Sequence, residues 1–293
     1  MTSLLNPVSP YSFDLFYTIH ARYPHPSLFT LRDGAYYRAI DTTNGLSLVK
    51  VMAQENDLSI TALIGDLPIA PIKHIFAVDT NLTGFYTFAE QDEKLATVIE
   101  PLIGLPLYRS ESLYEALIFV IIEQHIAWVN AQKAQRVLIE WGNHYIEHED
   151  IRYYAMPKPE QLANASIDDL RPLKITFKRM QLLIDLAQQF MDDPNFLSEA
   201  ATTSADALYK QLLSIKGIGH WTASVVVARA LGLYQFVPHN DVALQAAVAK
   251  YFDVEKSAQA TSAIFGQYGD YAGLAAHFTL MKWVLDQYPI VNG

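Results

Sequence analysis

The hydrophobic pattern of this 293-residue chain changes its period once, near Leu105. Before that point, short runs of β-branched and aromatic residues are separated by turn residues, as at Asp33-Gly34 and Asn44-Gly45. From Ser110 onward, apolar residues recur at helical spacing and prolines separate the segments. The three clearest predicted strands are Tyr36–Ile40, Leu46–Met52 and Leu58–Leu63.

This change of period predicts an α+β protein with two parts. We expect an N-terminal antiparallel-sheet α/β domain over residues 1–105, followed by an all-α core over residues 106–293. The sequence contains no internal repeat and no low-complexity tract.

Composition excludes several kinds of chemistry. The chain has no cysteine, so disulfides, thiol nucleophiles, Cys-ligated zinc and Cys-held iron–sulfur clusters are ruled out. With 51% hydrophobic and 18% charged residues, it can bury a substantial core. The net charge of -10 argues, taken alone, against a nucleic-acid partner, because phosphate affinity comes largely from Lys and Arg.

No targeting or membrane signal stands out. The first twenty residues carry no Lys or Arg and include Pro7 and Pro10, unlike a signal peptide. The longest apolar run of the helical part, Ala116–Ile122, is far shorter than the roughly 20 residues of a membrane span. We therefore expect a cytoplasmic protein with no membrane partner.

The most informative segment runs from Leu212 to Ala223, where an apolar helix meets a tight turn and a second helix starts at once. Gly217 and Gly219 allow a sharp turn and leave their N–H groups unshielded. Together with the helix N-terminus near His220, these amides form a small electropositive nest that suits a phosphate. An ordinary αα-hairpin is the alternative, since Gly-x-Gly alone is weak evidence.

The residues after this turn strengthen the phosphate interpretation. The second helix is predicted to end at Gly232, and a short loop then places Asp241 at the start of a helix over Val242–Phe252. Residues 207–251 hold four cations against Asp241 alone, a net charge of +3 within an acidic chain. DNA binding is therefore compatible with the overall charge.

These features resemble the helix-hairpin-helix DNA glycosylase superfamily, and within it the bacterial 3-methyladenine DNA glycosylase II (alkylbase) branch. The resemblance rests on the hairpin, on the 20-residue step from Trp221 to Asp241 and on the Pro-x-x-Asp-x-x-Leu pattern at Pro238–Leu244. It extends over nearly the whole chain, because Met156–Ala163 and Phe265–Ala272 are also similar to segments of that branch. It places the helix-hairpin-helix at 205–231.

The resemblance implies a monofunctional DNA glycosylase of base excision repair, which flips alkylated purines out of duplex DNA and hydrolyses the N-glycosidic bond. Asp241 then takes the catalytic position, where its carboxylate supports positive charge on the sugar. The alternative for Asp241 is a helix N-cap, and both roles are compatible. Trp221 stands where strand-cutting members carry a Lys nucleophile, so no strand cleavage is expected.

The resemblance also assigns residues to the base and to DNA. Trp221 and Tyr268 would form an electron-rich base pocket, with plain core packing as the alternative for each. Val242 departs from the aromatic residue sometimes found after the catalytic Asp. His125 would fill the gap left by the flipped base, although a helix-end His without that role is the alternative. The expected DNA-binding residues are Gln124, His125, Lys216, Gly217, Gly219, His220 and Thr222.

Relatives imply a Na⁺ or K⁺ ion at the hairpin, held by the backbone carbonyls of Leu213, Ile215 and Ile218. No other cofactor is expected. The expected partner is double-stranded DNA that contains damaged bases, bound by a monomer associated with the nucleoid. The role of His239, beside the candidate catalytic residue, is left open.

Three alternatives remain for the function. The chain could be a non-catalytic helix-hairpin-helix DNA-binding protein, or a glycosylase for deaminated or oxidised bases. The third is a zinc hydrolase, since His144–His148 matches the His-x-x-Glu-His pattern. That chemistry needs a stable helix, and Gly142-Asn143 predicts a helix end just before the motif.

Overall fold

The structure, a computed structural model, describes residues 1–23, 25 and 27–291. Five strands form one antiparallel sheet in the order β1-β5-β4-β3-β2. The strands are β1 (Thr2–Leu5), β2 (Thr30–Arg32), β3 (Ala35–Thr42), β4 (Gly45–Gln54) and β5 (Asp57–Ile64). The three strands predicted from sequence are confirmed as β3, β4 and β5. The predicted turn at Asp33-Gly34 has positive φ at both residues, the geometry that joins β2 to β3 tightly.

Each face of the sheet is covered by a different element. One face packs against α1 (Phe13–His20) and α2 (Ile69–Ile75) through buried aromatic and aliphatic side chains. The other face, around Tyr37, packs against a two-stranded hairpin of β6 (Tyr145–His148) and β7 (Ile151–Tyr154). This hairpin lies within the segment predicted to be entirely helical, and that prediction is wrong here.

Residues 83–287 otherwise contain helices joined by short loops. In chain order they are α3 (Thr83–Ala89), α4 (Glu93–Ile99), α5 (Leu113–Glu123), α6 (Trp128–Gly142), α7 (Pro159–Ala163), α8 (Ile167–Leu170), α9 (Phe177–Asp192), α10 (Ser198–Thr203), α11 (Ala205–Ser214), α12 (His220–Leu231), α13 (Val242–Phe252), α14 (Ala258–Gly266) and α15 (Ala272–Gln287). No helix of the described residues is long and apolar enough to cross a membrane.

The helices form two hydrophobic cores. The first surrounds α5, which is apolar on nearly every side and is packed by α6, α9 and α12, with α11 added to the same core against α12. The second joins α3 and α4 to α13, α14 and α15. Helices from before residue 105 therefore share a core with the last helices of the chain. The division at residue 105 stays a prediction, and the second core extends across it.

A buried ion-pair network connects the sheet to α5. Arg38 of β3 is fully buried and donates to Glu115 of α5 at 2.5 Å and to Glu111 at 2.9 Å. Burial raises the pKa of Glu111, an effect that the Arg38 guanidinium opposes. Removing one partner of such a pair leaves an uncompensated buried charge and costs about 3–5 kcal/mol. This network therefore holds the helix that carries Gln124 and His125 at its end against the sheet.

Candidate active site and DNA interface

The glycine-rich turn joins α11 to α12 as the sequence predicts. Gly217 has a φ of +100°, a conformation that side chains disfavour, and a Cβ there would stand 3.0 Å from Leu182 Cδ2. Gly219 is the N-cap of α12 and has extended backbone, and nothing would contact a Cβ there. Gly217 is thus needed for the turn, whereas Gly219 leaves the amides at the start of α12 uncovered. Both glycines and Lys216 are exposed.

Two residues expected to touch DNA instead hold this turn from inside. Gln124 is 8% exposed, and its amide donates to Gly217 O at 3.1 Å and to Thr222 Oγ1 at 2.9 Å. Thr222 is buried as well. The side chains of Gln124 and Thr222 are therefore not presented to DNA, because both are buried and bonded to each other. Both side chains thus support the hairpin, and a DNA contact of either residue stays a prediction, for Thr222 through its backbone N–H.

The His220 side chain is also engaged within the protein. Its Nδ1 lies 2.6 Å from the Tyr209 hydroxyl, and its Nε2 donates to Val237 O at 2.8 Å. The ring of His239 stacks on it with centroids 4.6 Å apart. Both ring nitrogens of His220 are thus occupied. The predicted DNA contact of His220 is compatible with these bonds only if it is made by the backbone N–H.

Asp241 and Trp221 are brought together by the fold. Asp241 is the N-cap of α13, where its Oδ1 accepts hydrogen bonds from Ala243 N and Leu244 N at 2.9 Å each. Its Oδ2 accepts from Trp221 Nε1 at 2.8 Å. The cap predicted as an alternative is therefore present, and it uses one carboxylate oxygen only. Three N–H donors fix the orientation of this carboxylate beside the hairpin.

His125 occupies an exposed turn directly after α5. Its φ is +54°, so the turn reverses sharply at this residue. Arg179 of α9, which is buried, anchors the turn by donating to Ile122 O at 3.2 Å and to Gln124 O. His125 is thus presented to solvent by a rigid neighbourhood, as a residue inserted into DNA would need.

Tyr268 lies in the second hydrophobic core, away from the first core to which Trp221 belongs. It is 5% exposed, its ring lies 6.0 Å from Phe88, and its hydroxyl donates to Asp92 Oδ2 at 3.2 Å. Burial raises its pKa, and the neighbouring Asp92 adds to the effect. The structure thus gives Tyr268 the core-packing role that was named as its alternative.

Sequence reasoning missed a polar and aromatic group at the end of α5. Glu123 accepts a bidentate pair from Arg229 of α12 at 2.6 and 2.8 Å. Partly exposed rings lie around this pair, with Tyr23 4.8 Å from Trp128 and Tyr234 4.4 Å from His277. Charged residues interrupt the apolar runs at Glu123 and Arg229, and this was the signal that each needs a partner.

Burial controls the ionisation of this group. It raises the pKa of Tyr23 to about 12, although the Arg229 charge opposes the rise. Burial and, to a smaller extent, the Arg229 charge together lower the pKa of His277 to about 3. His277 is therefore a neutral imidazole at physiological pH, and the Arg229–Glu123 charges balance each other. The group forms an aromatic, electrically balanced surface next to the turn of His125.

The zinc motif does not have the geometry that zinc chemistry needs. His144 binds Asp41 at 2.9 Å, and the rest of the motif lies on β6 rather than on a helix. Along a strand, residues four apart are about 13 Å from each other, too far to share one metal ion. Within the described residues, no group of three His, Asp or Glu side chains is suited to hold a metal ion.

Known proteins resemble this chain in both sequence and fold, although no family model matches it. The DNA-3-methyladenine glycosylase of Bacillus subtilis is 28% identical over 208 residues, which cover 68% of this chain and 69% of that protein. The B. subtilis protein YfjP is 28% identical over 184 residues, which cover 63% of this chain and 62% of YfjP. The chain thus spans about two thirds of these relatives.

Among solved structures, the 3-methyladenine DNA glycosylase from Archaeoglobus fulgidus matches with a TM-score of 0.81 and 22% identity, over 97% of this chain and 98% of the other. By sequence the chain is similar to proteins named DNA-3-methyladenine glycosylase, and it shares the fold of solved DNA glycosylases. The Clostridium acetobutylicum 8-oxoguanine glycosylase/lyase bound to duplex DNA has the same fold, with a TM-score of 0.75 and 15% identity over 96% of each chain. Both B. subtilis relatives carry the name DNA-3-methyladenine glycosylase, in one case as a putative one.

Proposed function

We propose that this protein is a monofunctional DNA glycosylase that flips alkylated purines of the 3-methyladenine type out of duplex DNA and releases them as free bases. The observation that carries the proposal is the Asp241 carboxylate, which is fixed by three N–H donors and lies beside an open helix N-terminus. The 28% identity to a named 3-methyladenine glycosylase supports the choice of substrate class.

The reaction follows from the charge that it creates. When the N-glycosidic bond breaks, the base leaves with the bonding electron pair and C1′ of the sugar becomes positive. The fixed carboxylate of Asp241 stabilises that charge without having to reorganise, which is the largest single contribution in many enzymes. Water then adds to C1′ and loses a proton. Trp221 offers no amine, so no Schiff base forms and the strand remains intact.

DNA is held in this proposal by groups on one face. The amides around Gly217, Gly219 and His220 bind a phosphate, with Lys216 beside them. His125 fills the space of the flipped base, and the Trp221 indole stacks on the base itself. The aromatic surface around the Glu123–Arg229 pair is the second candidate wall of the pocket, in place of Tyr268.

The proposal includes a monomer that acts on nucleoid DNA in the cytoplasm and a Na⁺ or K⁺ ion at the hairpin. The carbonyls of Leu213, Ile215 and Ile218 would hold that ion, and the Ile215 carbonyl already accepts one hydrogen bond, from Ile218 N at 3.1 Å. Replacing KCl by an organic salt of equal ionic strength tests the ion, provided that a short single strand is used as the reference for the change in released counterions: a bound ion predicts a larger loss of affinity for the duplex.

Release of free bases from methylated, deaminated and oxidised duplexes, measured by chromatography, tests the function. We expect release from the methylated duplex and intact strands before alkali treatment. Release from a deaminated or oxidised duplex alone would favour the other lesion classes. DNA binding with no base release from any duplex would favour a non-catalytic DNA-binding protein.

A further inference from the structure

A second basic segment lies outside the hairpin. The nine residues Arg171–Arg179 hold four cations and no acid, in a chain of net charge -10. Two of these cations are engaged, since Arg171 pairs with Asp168 and Arg179 is buried against carbonyls of α5. Lys174 and Lys178 are exposed and form no ion pair within the described part of the chain. Two free positive charges therefore flank the start of α9.

Phe177 stands between these lysines at the first position of α9. Its side chain is 64% exposed, and it is the one aromatic residue among the large hydrophobic side chains that the described residues leave strongly exposed. A single exposed hydrophobic side chain is common, but an exposed aromatic ring flanked by cations is the combination with which proteins stack on nucleic-acid bases.

The start of α9 is rigidly connected to the hairpin. Arg179, two residues after Phe177, donates to the carbonyls of Ile122 and Gln124. Gln124 in turn donates to Gly217 O at 3.1 Å, and Leu182 of α9 lies against Gly217. The first half of α9, the His125 turn and the glycine-rich turn are thus parts of one unit.

We propose that Phe177 is an apolar wedge for duplex DNA in addition to His125, with Lys174 and Lys178 bound to the phosphates on either side of Phe177. Duplex DNA is the occupant because the lysines complement its charge and because α9 is bonded to the turn of His125 and packed against the glycine-rich turn. The choice of DNA rests on the proposed function. Apolar side chains inserted between bases unstack them and widen the surface that the protein contacts.

A duplex with one tetrahydrofuran abasic analogue and a neighbouring 2-aminopurine is the probe, because it binds without any reaction. Phe177→Ala is expected to weaken binding, measured by anisotropy, about tenfold and to reduce the rise of 2-aminopurine fluorescence that reports unstacking, while His125 still enters the duplex. Leu4→Ala is the matched control, since Leu4 is 46% exposed on strand β1. Neither exposed substitution is expected to change the thermal unfolding midpoint appreciably.

Lys174 and Lys178 are tested separately, through the salt dependence of DNA affinity. The double variant Lys174→Gln/Lys178→Gln is expected to reduce the slope of log affinity against log salt by about 2, because each phosphate contact contributes about 0.9. It should keep the 2-aminopurine signal. Lys73→Gln/Lys256→Gln removes two other exposed lysines and is expected to leave the slope unchanged.

The proposal is overturned if Phe177→Ala binds the abasic duplex as the Leu4→Ala control does, or if the lysine pair leaves the salt slope unchanged. It is also overturned if sedimentation shows that Phe177→Ala breaks a dimer while DNA affinity stays the same, because a second copy would then cover this surface. Base release by Phe177→Ala at the wild-type rate and affinity would refute this proposal alone. If the wild type released no base while the variants showed the predicted binding defects, the enzymatic proposal alone would be refuted.

Discussion

Asp241 and Asp92 have nearly the same local geometry in two different regions of the molecule. Each caps a helix through Oδ1, and each accepts a hydrogen bond at Oδ2 from an aromatic side chain. For Asp241 the donor is the Trp221 indole at 2.8 Å, and for Asp92 it is the Tyr268 hydroxyl at 3.2 Å. Cap geometry therefore does not distinguish a catalytic carboxylate from a structural one.

Their surroundings make the difference. Asp92 is flanked by Glu90 and Glu93, and its aromatic partner is packed in an apolar core, so DNA would meet negative charge and no opening. Asp241 lies next to the exposed hairpin that carries Lys216, and its Trp221 partner keeps exposed surface. The surroundings of the residue, rather than its hydrogen bonds, set Asp241 apart from Asp92 and support its proposed role.

The largest expected difference is catalytic. Asp241→Asn should lower the single-turnover rate of base release by at least about 100-fold, because the charge opposite the developing cation is lost. Asn is also a good N-cap, so the fold should persist. Asp92→Asn is the matched control and should release bases within about twofold of the wild type. Equal rates for the two variants would remove the distinction between the two carboxylates.

A smaller effect is expected from the aromatic donors. Trp221→Phe keeps a ring but removes the N–H that holds Asp241 Oδ2, and we expect the single-turnover rate to fall about tenfold, consistent with a loss of one charge-assisted hydrogen bond. Tyr268→Phe removes the corresponding hydroxyl at Asp92 and should leave the rate unchanged. A rate loss in Tyr268→Phe would return that residue to the base pocket.

Sequence alone gave the strands β3 to β5, the hairpin and the position of Asp241, because each depends on local pattern and spacing. It did not give the burial of Gln124, since this depends on a hydrogen bond to Gly217, 93 residues away. The Glu123–Arg229 pair was missed for the same reason, as its partners are 106 residues apart.

The capping role of Asp92 predicts an effect on stability alone. Asp92→Ala leaves the Leu95 amide without its side-chain acceptor, and we expect the free energy of unfolding to fall by about 1 kcal/mol. Denaturant titration measures the loss, and base release at the wild-type rate in native buffer is the accompanying control. An activity loss without a stability loss would contradict a purely structural Asp92.

The smallest expected effect concerns the Tyr268 hydroxyl. Removing it in Tyr268→Phe should lower the free energy of unfolding by about 1 kcal/mol or less, the usual contribution of one hydrogen bond. Denaturant titration of both Tyr268→Phe and Trp221→Phe separates what each hydrogen bond contributes to the free energy of unfolding from what it contributes to the rate of base release.

The central claim is that the Asp241 carboxylate stabilises positive charge at C1′. Its most direct test is the affinity for two duplexes, one with a cationic pyrrolidine in place of the sugar and one with the neutral tetrahydrofuran. The wild type should prefer the cationic duplex by about tenfold or more, and Asp241→Asn should lose that preference while Asp92→Asn retains it. An unchanged preference in Asp241→Asn would contradict the account.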